Sequence, residues 1–500
     1  MRSEAENTRR ARRVVVIGGG LSGLAAAHRF VERQAEQRGS SRPVELILLE
    51  ASARAGGIVR TERRDGFLLE AGPDAFIREK PAALELAKRL GLDSRLIETN
   101  PEHRRSFVAR GRRLHPTPAG FQLVAPSRLR PFFASGIFSW PGKARMALDL
   151  VLPRRARRGG AGDDTDDESL ASFVRRRLGR EALERMAQPM VGGIYTADPE
   201  LLSLRATMPR FLEMVRARRS LILALRSSAH AANGDSDDSR AASGARYNLF
   251  LSFDEGMQVL TDALAARLPR GTVRLDTRAE RLDFDAPSQS WNVETSAGER
   301  LAADAVAVAL PAHVAAELLR ATDTALASEL DAIPYASSAT VNLAFRRDAI
   351  AHPLDGFGFV VPFVERRTVL ACTFASVKFA GRAPEGHALL RAFVGGALQP
   401  EKLESSDDEM TAAVLSDLND LVGVTSEPLF ASVTRWPRSM PQYHLGHLAR
   451  VARIRERLRA HPSLRLAGNC YDGTGVPDCV RTGEAAADEL LETLADDAHD

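Results

Sequence analysis

An apolar run that leads directly into a glycine cluster near the amino end most constrains what this chain can fold into. Residues 14–17 read Val-Val-Val-Ile, and Gly18, Gly20 and Gly23 follow at the spacing of a strand–turn–helix unit. In such a unit the first glycine permits the tight turn, the second lets a phosphate approach bare backbone, and the third lets the helix pack close to the strand. The helix amino terminus adds free amides and the positive end of its dipole. The predicted dinucleotide contacts in this turn are Gly18, Gly19, Gly20, Leu21, Ser22 and Gly23.

The next apolar run, residues 44–49, ends at a carboxylate. Glu50 stands where a parallel strand would end, which is the position of the acid that accepts a hydrogen bond from a ribose hydroxyl. It lies further from the glycines than the usual spacing of about 20 residues. The polar stretch at residues 34–42 explains the excess, because it lengthens the crossover between the two strands.

A second glycine pair stands behind a basic residue after this strand. Arg54, Gly56 and Gly57 follow Glu50 in close succession, and Thr61 comes shortly afterwards. This order of Glu, Arg, Gly-Gly and Thr resembles the FAD-dependent amine oxidase superfamily and fits simple NAD dehydrogenases poorly. We therefore expect Glu50, Arg54, Gly56 and Gly57 to contact the nucleotide.

Length and composition limit the class of protein. A chain of 500 residues with 44% apolar content can bury a large core, and at about 100–200 residues per domain it should hold two or three domains. The formal net charge of +3 is small against 68 basic and 65 acidic side chains, so we expect no nucleic-acid partner. The apolar runs are too short to predict a membrane-spanning helix.

The cysteines indicate the redox compartment. Cys372, Cys470 and Cys479 form no Cys-x-x-Cys pair, and an odd, low number argues for a reducing, cytoplasmic setting without disulfides or zinc. His444 and His447 have no neighbouring carboxylate or cysteine ligand, so we interpret them as structural and predict no metal. Residues 1–13 are rich in arginine and read as a disordered basic tail.

The hydrophobic pattern predicts an α/β fold, α+β overall, with polar breaks at residues 154–168 and 227–246. Residues 169–190 and 204–226 have a helical pattern. The apolar strand at residues 303–310 is typical of a parallel sheet buried on both faces and should rejoin the sheet of the glycine turn. Further elements are predicted as strands at 247–253, 272–275, 290–295 and 464–468, and as helices at 256–268 and 482–494.

These elements divide into a Rossmann-like cofactor domain, a mixed-sheet substrate domain and a helical insertion. The cofactor domain is assembled from three separated stretches, because its strands are spread along the chain. The insertion is expected to cover the active site. The predicted boundaries are 14–91, 245–312 and 430–495 for the cofactor domain, 206–244 and 313–429 for the substrate domain, and 92–205 for the insertion.

Several blocks spread over nearly the whole chain resemble the protoporphyrinogen and coproporphyrinogen oxidases of the bacterial type, within the FAD-dependent amine oxidase superfamily. The Gly-Met-Gln block at residues 256–258 is shared across the superfamily and is weak alone. The Pro-Gln-Tyr block at 441–443 and the Gly-x-Gly-Val-Pro-Asp-Cys block at 473–479 are much more specific. The similar blocks are residues 66–76, 190–203, 252–264, 435–447 and 468–479.

The resemblance implies a noncovalently bound FAD. By this likeness Val476 and Pro477 lie along the isoalloxazine ring, and Trp436 helps to enclose it. Gly475, ahead of the last helix, offers flexible backbone and open amides to the electron-rich edge of a reduced flavin. Ala279 approaches the adenine through its backbone. The segment implied to pass the pyrimidine or ribityl side is Gly72, Pro73, Asp74 and Ala75.

The resemblance also implies a reaction. The family removes six electrons and six protons from a porphyrinogen in heme synthesis, and molecular oxygen reoxidises the flavin to give hydrogen peroxide. Because the flavin carries the redox chemistry, no side chain is predicted as catalytic. The protein must supply a flat apolar cavity and basic groups for the substrate propionates. Arg78 and Lys80 are candidates for those groups, although a solvated basic turn ahead of a helix explains them equally well.

Several alternatives stay open in the sequence. The substrate could carry two propionates or four, since the same fold and flavin serve both. Phe132, Phe133, Phe138 and Trp140, among basic residues at 128–145, suit either a peripheral membrane contact or packing against the substrate channel. A homodimer is also open. The rival functions are a flavin amine oxidase or carotenoid desaturase, and a flavin-bearing porphyrin carrier without activity.

Overall fold

A computed structural model describes residues 11–36, 44–122, 124–153, 167–232 and 250–496. Several predicted segments lie mostly or partly outside these ranges. They are the basic tail at residues 1–13, the polar breaks at 154–168 and 227–246, and the first part of the strand predicted at 247–253. The described strands are β1 Arg12–Ile17, β2 Val44–Leu49, β3 Thr61–Arg64, β4 Phe67–Glu70, β5 Phe76–Ile77, β6 Leu96–Glu98, β7 Phe107–Arg110, β8 Arg113–Pro116, β9 Phe121–Gln122, β10 Ala125–Pro126, β11 Phe250–Phe253, β12 Val273–Arg274, β13 Ala279–Asp285, β14 Ser290–Thr295, β15 Arg300–Ala303, β16 Ala305–Val308, β17 Tyr335–Arg346, β18 Gly358–Val360, β19 Val369–Phe374, β20 His387–Gly395, β21 Phe430–Pro441 and β22 Leu464–Leu466. The described α-helices are α1 Leu21–Glu36, α2 Ala82–Arg89, α3 Leu129–Ala134, α4 Trp140–Ala147, α5 Leu170–Arg177, α6 Arg180–Ala182, α7 Gln188–Tyr195, α8 Leu204–Thr207, α9 Pro209–Arg218, α10 Leu221–Ala232, α11 Gln258–Arg267, α12 Ala312–Leu319, α13 Thr324–Asp331, α14 Ala375–Lys378, α15 Asp407–Val422, α16 His447–Leu458 and α17 Val476–Asp496.

Five of the described strands form a parallel sheet in the order β12-β2-β1-β16-β22. β1 lies in the middle, where Val14 pairs with Leu46 of β2 on one side and with Ala305 of β16 on the other. The prediction that the strand at residues 303–310 rejoins the first sheet is therefore confirmed. Because the chain continues from β1 to β2 on one side while β16 joins on the other, the carboxyl end of β1 is a switch point, where such sheets bind ligands.

Helices cover both faces of this sheet, which explains why its strands are apolar without alternation. α1, α11 and α17 pack on one face around Leu24, Phe30 and Val480. α12, α13 and α16, with the small sheet β13-β14-β15, cover the other face around the buried Trp291. α17 begins at Val476, before the start predicted at residue 482, because a proline in the first helical turn is compatible with a helix start.

A second sheet of described strands runs in the order β21-β17-β20-β19-β18-β7-β8. Its neighbours are antiparallel except for the parallel pair β18 and β7, so this sheet is mixed, as expected for the substrate side. β7 and β8 come from residues that the sequence analysis placed in the helical insertion. Residues 96–126 form short strands there instead of helices, because β7 completes its hydrogen bonding on β18, which lies far away in the sequence.

Helices α3 to α8 form the helical part of the predicted insertion, around a core that includes Phe132 and Phe173. Helices α9 and α10, which were predicted to belong to the substrate domain at residues 206–244, pack into the same core through Phe211 and Leu225, so the structure extends this helical part past residue 205. The helix predicted over residues 204–226 is broken into α8, α9 and α10, and Pro209 starts the second of these because proline cannot continue a preceding helix. Phe133 and Trp140 are exposed, whereas Phe132 and Phe138 are buried. Within the described residues, every helix falls short of the length and apolar character that crossing a bilayer requires.

Candidate cofactor site

The glycine turn lies at the carboxyl end of β1. Gly18 has a φ of +105°, and its amide donates to the Leu49 carbonyl of β2 at 2.8 Å. A Cβ on Gly23 would stand 1.8 Å from the Gly18 carbonyl oxygen, so only glycine lets α1 begin this close to the strand. A Cβ on Gly20 would meet no atom within 4 Å. The turn therefore has packing glycines at its two ends and an accessible glycine between them, which is the arrangement that a pyrophosphate requires.

Glu50 is held against this turn at the end of β2. Its Oε2 accepts a hydrogen bond from the Gly19 amide at 2.7 Å, and its Oε1 accepts from the Ser52 amide at 2.8 Å and from the Ser52 hydroxyl at 2.6 Å. The Thr277 amide donates to the Glu50 carbonyl at 2.8 Å, which brings the start of β13 and Ala279 beside the same strand end. The structure thus brings the predicted ribose and adenine contacts together, while their roles stay predictions.

The second glycine pair packs directly on the first turn. The Gly56 amide donates to the Gly19 carbonyl at 2.8 Å, and a Cβ on Gly57 would stand 3.1 Å from the Gly20 Cα. Arg54 organises this loop, because its guanidinium donates to the carbonyls of Ala55 at 2.8 Å, Gly57 at 2.5 Å and Val59 at 3.0 Å. Burial lowers the pKa of Arg54. Its three backbone bonds show that Arg54 shapes the loop that faces the glycine turn.

The segment from Gly72 to Ala75 runs between this loop and the mixed sheet. A Cβ on Gly72 would stand 1.8 Å from the Ile58 carbonyl oxygen, so the two loops touch through their backbones. Trp436 on β21 donates from Nε1 to the Ala71 carbonyl at 2.8 Å. The predicted contacts Gly72, Pro73, Asp74 and Ala75 are all half-buried. The predicted ring neighbour Trp436 is thereby placed beside the segment implied to pass the flavin.

The amino end of α17 joins the same region. α17 touches α1 through backbone, since a Cβ on Gly483 would stand 2.2 Å from the Ser22 carbonyl oxygen. Asp478 is buried and accepts from the Gly475 amide at 3.1 Å, which orders the glycine-rich turn ahead of the helix. Val476 and Pro477 form the first turn of the helix and are buried. Two helix amino termini therefore meet, and both have first-turn amides without intrahelical acceptors.

Arg78 and Lys80, the predicted propionate partners, have carboxylate partners within the chain. Arg78 donates to Glu98 at 2.5 Å, and Lys80 donates from Nζ to Asp478 Oδ2 at 2.6 Å. The structure thus brings Lys80 to the start of α17 and directs Arg78 to β6 instead. Both side chains are about half exposed. The role of either residue toward a substrate stays a prediction.

Sequence reasoning missed Glu70, which is buried on β4 next to the Gly72 segment. Its Oε1 accepts from the Met257 amide at 2.7 Å, and its Oε2 accepts from the Thr61 hydroxyl at 2.8 Å. Burial raises the pKa of Glu70 to about 7, although these two hydrogen bonds oppose the rise. The Phe-Leu-Leu-Glu run was visible in the sequence, but nothing in it showed that the carboxylate would turn inwards.

Gln442 and Tyr443 of the Pro-Gln-Tyr block hydrogen-bond to separate parts of the chain. Gln442 donates from Nε2 to the Tyr195 carbonyl at 3.0 Å, which ties α7 of the insertion to β21. The Tyr443 hydroxyl accepts from the Gly473 amide at 2.7 Å and donates to the Asn469 carbonyl at 2.7 Å. In the sequence this block carried only a resemblance to the family, with no role predicted for its residues. The structure shows that it joins the insertion to the turn that precedes α17.

The histidines do not form a ligand pair on one helix. His447 begins α16 and its ring stacks on Tyr443 with centroids 3.9 Å apart, whereas His444 precedes the helix. Burial lowers the pKa of His447 to about 4. Among the residues that the structure describes, no group of three or more His, Cys, Asp or Glu side chains could hold a metal ion.

Together these contacts fit a flavin dinucleotide. The accessible Gly20 and the paired helix termini suit its phosphates, and Glu50 at the strand end suits a ribose. Trp436, which donates to the Ala71 carbonyl, and the exposed side chain of Ile58, whose carbonyl lies against Gly72, are apolar groups near the Gly72 segment that suit an apolar ring. The described chain thus offers accessible backbone for phosphates at the glycine turn and apolar side chains near Gly72.

Comparison with known proteins agrees with this geometry. The family model of flavin containing amine oxidoreductases matches residues 21–491. The chain is 36% identical to the coproporphyrinogen III oxidase of Bacillus subtilis (strain 168), over 96% of this chain and 98% of that protein. It is 26% identical to the chloroplastic and mitochondrial protoporphyrinogen oxidase 2 of Arabidopsis thaliana, over 98% of this chain and 96% of that protein.

Solved structures confirm the predicted fold class. A crystal structure from Exiguobacterium sp. 255-15, provisionally assigned as a protoporphyrinogen oxidase, matches with a TM-score of 0.82 and 31% identity over 96% of this chain and 99% of that chain. A double mutant of putrescine oxidase matches with a TM-score of 0.64 and 18% identity over 96% of this chain and 99% of that chain. The second likeness is one of fold alone.

Proposed function

The chain belongs to the flavin containing amine oxidoreductases, and on that premise we propose that it is an FAD-dependent oxidase of a porphyrinogen, with molecular oxygen as electron acceptor. The preferred substrate in this proposal is coproporphyrinogen III. The observation that carries it is the 36% identity with a coproporphyrinogen III oxidase over 96% of the chain. Relatives named for protoporphyrinogen are less similar, at 26% and 28% identity for two plant enzymes and 31% for the solved structure from Exiguobacterium sp. 255-15.

Each group of residues in the site would contact a different part of FAD or of the substrate. When bound, FAD supplies the oxidation, taking electrons from the substrate and passing them to oxygen, with hydrogen peroxide as the by-product. The backbone around Gly20 would hold the phosphates, and Glu50 would accept from the ribose. Trp436 and Pro477 would fix the plane of the ring. Lys80, at the edge of the site, would exchange its bond to Asp478 for a substrate propionate.

The proposal is tested by turnover of the two porphyrinogens side by side. Purified protein loaded with FAD is expected to oxidise coproporphyrinogen III with a kcat/KM at least about tenfold above that for protoporphyrinogen IX, a difference of about 1.4 kcal/mol in transition-state binding. Porphyrin fluorescence measures both rates, and a blank without enzyme subtracts spontaneous oxidation. Oxidation of an amine such as putrescine, with no turnover of either porphyrinogen, would contradict the proposal.

We also propose a peripheral membrane contact through the exposed part of the insertion. The Trp140 side chain is 70% exposed, and its ring is stacked on exposed Phe133 with centroids 6.5 Å apart. Lys143 is buried and donates to the Phe133 carbonyl at 2.7 Å, so it supports the rings from behind, whereas Arg130 on α3 is exposed and would supply a cation for the headgroups. Val151 is exposed nearby in sequence. Aromatic rings beside cations suit the headgroup layer of an anionic bilayer. A homodimer stays a prediction.

Vesicle sedimentation tests this contact. The full chain is expected to sediment with phosphatidylglycerol vesicles and to remain in the supernatant with phosphatidylcholine vesicles. A Phe133→Ser and Trp140→Ser double variant should lose at least about tenfold in affinity, since burying apolar area supplies about 25 cal/mol per Å². Phe363→Ser, another exposed phenylalanine, is the matched control and should bind like the wild type. Equal binding of all three proteins would refute the contact.

A further inference from the structure

A group of buried charges lies behind the segment Gly72–Asp74, on the side of the mixed sheet. Glu70, Asp74, Arg382 and Arg391, with Asn342, line a cavity of about 10 Å³. Such a volume is about that of one water probe, so the side chains are closely packed around it. We call Glu70, Asp74, Lys378, Arg382 and Arg391 the charge cluster; Glu70, Arg382 and Arg391 are buried, whereas Asp74 and Lys378 are half-buried. Its members come from β4, the following loop, α14, the loop after α14, and β20.

Arg391 reaches from the middle of β20 to the cofactor side of this cluster. Its guanidinium donates to the Gly72 carbonyl, the residue before Pro73, whose own nitrogen has no proton to donate. Arg391 is 4% exposed, and its Nε finds no hydrogen-bond acceptor among the described residues. The Oδ1 of Asn342, on the same cavity, likewise finds no donor among them. Arg391 thus holds the Gly72–Pro73 peptide by a hydrogen bond, and among the described residues no carboxylate contacts its guanidinium.

The charges of the cluster do not balance. Asp74 is neutralised by Lys378, whose Nζ lies 2.8 Å from Asp74 Oδ2. Burial by itself would raise the pKa of Asp74, but Lys378 and Arg391 hold it below its ordinary value. Two positive charges, on Arg382 and Arg391, then remain in the cluster, and Glu70 is its one remaining acid. Glu70 already accepts two hydrogen bonds from uncharged donors. The cluster is therefore net positive whether Glu70 is ionised or protonated.

The remaining neighbours do not remove this excess. Arg382 donates to the carbonyls of Phe253 at 2.8 Å and Asp254 at 3.0 Å, and to the Ser252 hydroxyl at 2.9 Å, all of which are neutral acceptors. The charged side chains that face it from outside are Asp254 and Arg63, which have opposite signs. Water screens such surface charges more than it screens a buried one.

We propose, on the basis of the proposed function, that Arg391 is a positioning residue for the flavin: it holds the Gly72–Pro73 peptide, and its buried charge favours the reduced form of the bound cofactor. Reduction of FAD by two electrons with uptake of one proton leaves one negative charge on the ring. A buried cation stabilises that charge more strongly than a solvated one does, because the local dielectric constant is low. The midpoint potential of the bound flavin is accordingly raised.

Redox titration of the full-length, FAD-loaded protein tests this inference. Arg391→Met is expected to lower the ratio of affinities for reduced and oxidised FAD at least tenfold, which is about 30 mV in a two-electron midpoint potential. Arg391→Lys keeps the charge and should stay near the wild type. Glu70→Gln removes an opposing charge, so at about pH 8.5 it should raise the potential, with a smaller effect at about pH 6 where Glu70 is protonated. The two charge-removing variants thus shift the potential in opposite directions.

The outcomes separate this inference from the proposed function and from a structural role. A merely structural role would lower the melting temperature of the apoprotein in both variants and would leave the two potentials unchanged or shifted in the same direction. Midpoint potentials that stay unchanged in the two variants, or that shift in the same direction, would each overturn the inference. If Arg391→Met does not hold FAD, the sign of the Glu70→Gln shift decides. A wild-type chain that binds no FAD would instead refute the proposed function.

Discussion

Gly20→Val is expected to abolish FAD binding while leaving the apoprotein folded. A Cβ at Gly20 meets no described protein atom within 4 Å, and the residue does not have a positive φ, so the backbone of the turn need not change to carry a side chain there. The added methyl groups would stand where phosphate must approach the backbone. We expect the Kd for FAD to rise at least about 100-fold, or about 2.7 kcal/mol. Titration of apoprotein with FAD, followed by flavin fluorescence, measures this loss.

Gly23→Ala is the control variant for Gly20→Val, because it adds a side chain that clashes with the protein itself. Its Cβ would stand 1.8 Å from the Gly18 carbonyl oxygen, so α1 and β1 must separate even without a ligand. Overpacking of this kind costs about 1–3 kcal/mol, and we expect a lower melting temperature for this apoprotein but not for Gly20→Val. If Gly20→Val retained FAD with the affinity of the wild type, the phosphate assignment would be wrong.

Of the variants proposed, Asp149→Ala is expected to lower the free energy of unfolding most. Asp149 and Arg177 form an ion pair at 2.7 Å in which neither side chain is more than 1% exposed. Asp149 also accepts from the Ser220 hydroxyl at 2.7 Å and from the Ile222 amide at 3.0 Å, so it joins the turn after α4 to α5 and α10. Removing one partner leaves a buried charge unpaired, which costs about 3–5 kcal/mol.

Hydrogen exchange in the insertion measures this effect, because it reports local opening that global melting of a large chain would hide. Amides of α5 and α10 should lose protection in Asp149→Ala. Glu184→Ala removes the partner of Arg180 in an exposed pair four residues apart and should change the stability by less than about 0.5 kcal/mol. Unchanged protection in Asp149→Ala would show that the buried pair does not hold the insertion together.

Local stretches of sequence predicted the unit of strand, glycine turn and helix well, while its contacts with the cofactor stay predictions. The residues from β1 through the start of α1 are contiguous, so their apolar run and glycine spacing contain nearly all the information that the turn needs. Glu50 was placed at the end of β2 for the same reason, despite the longer crossover. The start of α17 was predicted at residue 482, which is too late, because Val476 and Pro477 already form its first turn.

The hydrophobic pattern of the sequence could not predict which distant segments contact each other. Residues 107–116 are too short and too irregular to show a strand period; β7 and β8 form a local hairpin, but its place in the mixed sheet depends on the parallel pairing of β7 with the distant β18. The contact of Arg391 was likewise not predictable. Arg391 lies within a buried strand, and nothing near it in the sequence indicates that it donates to the Gly72 carbonyl. Arg78 and Lys80 were grouped by sequence, yet they bind carboxylates on different elements.

The amino-acid sequence by itself determined the parallel sheet with its glycine turn, the flavin family and the class of reaction, because these depend on short contiguous motifs and on the identity of a few residues. Only the tertiary structure decided which charges are buried together behind Gly72, which aromatic side chains of the insertion are exposed, and where the first turn of α17 lies against α1. Those features depend on contacts between segments hundreds of residues apart, whose energies come from burial and desolvation that no local pattern contains.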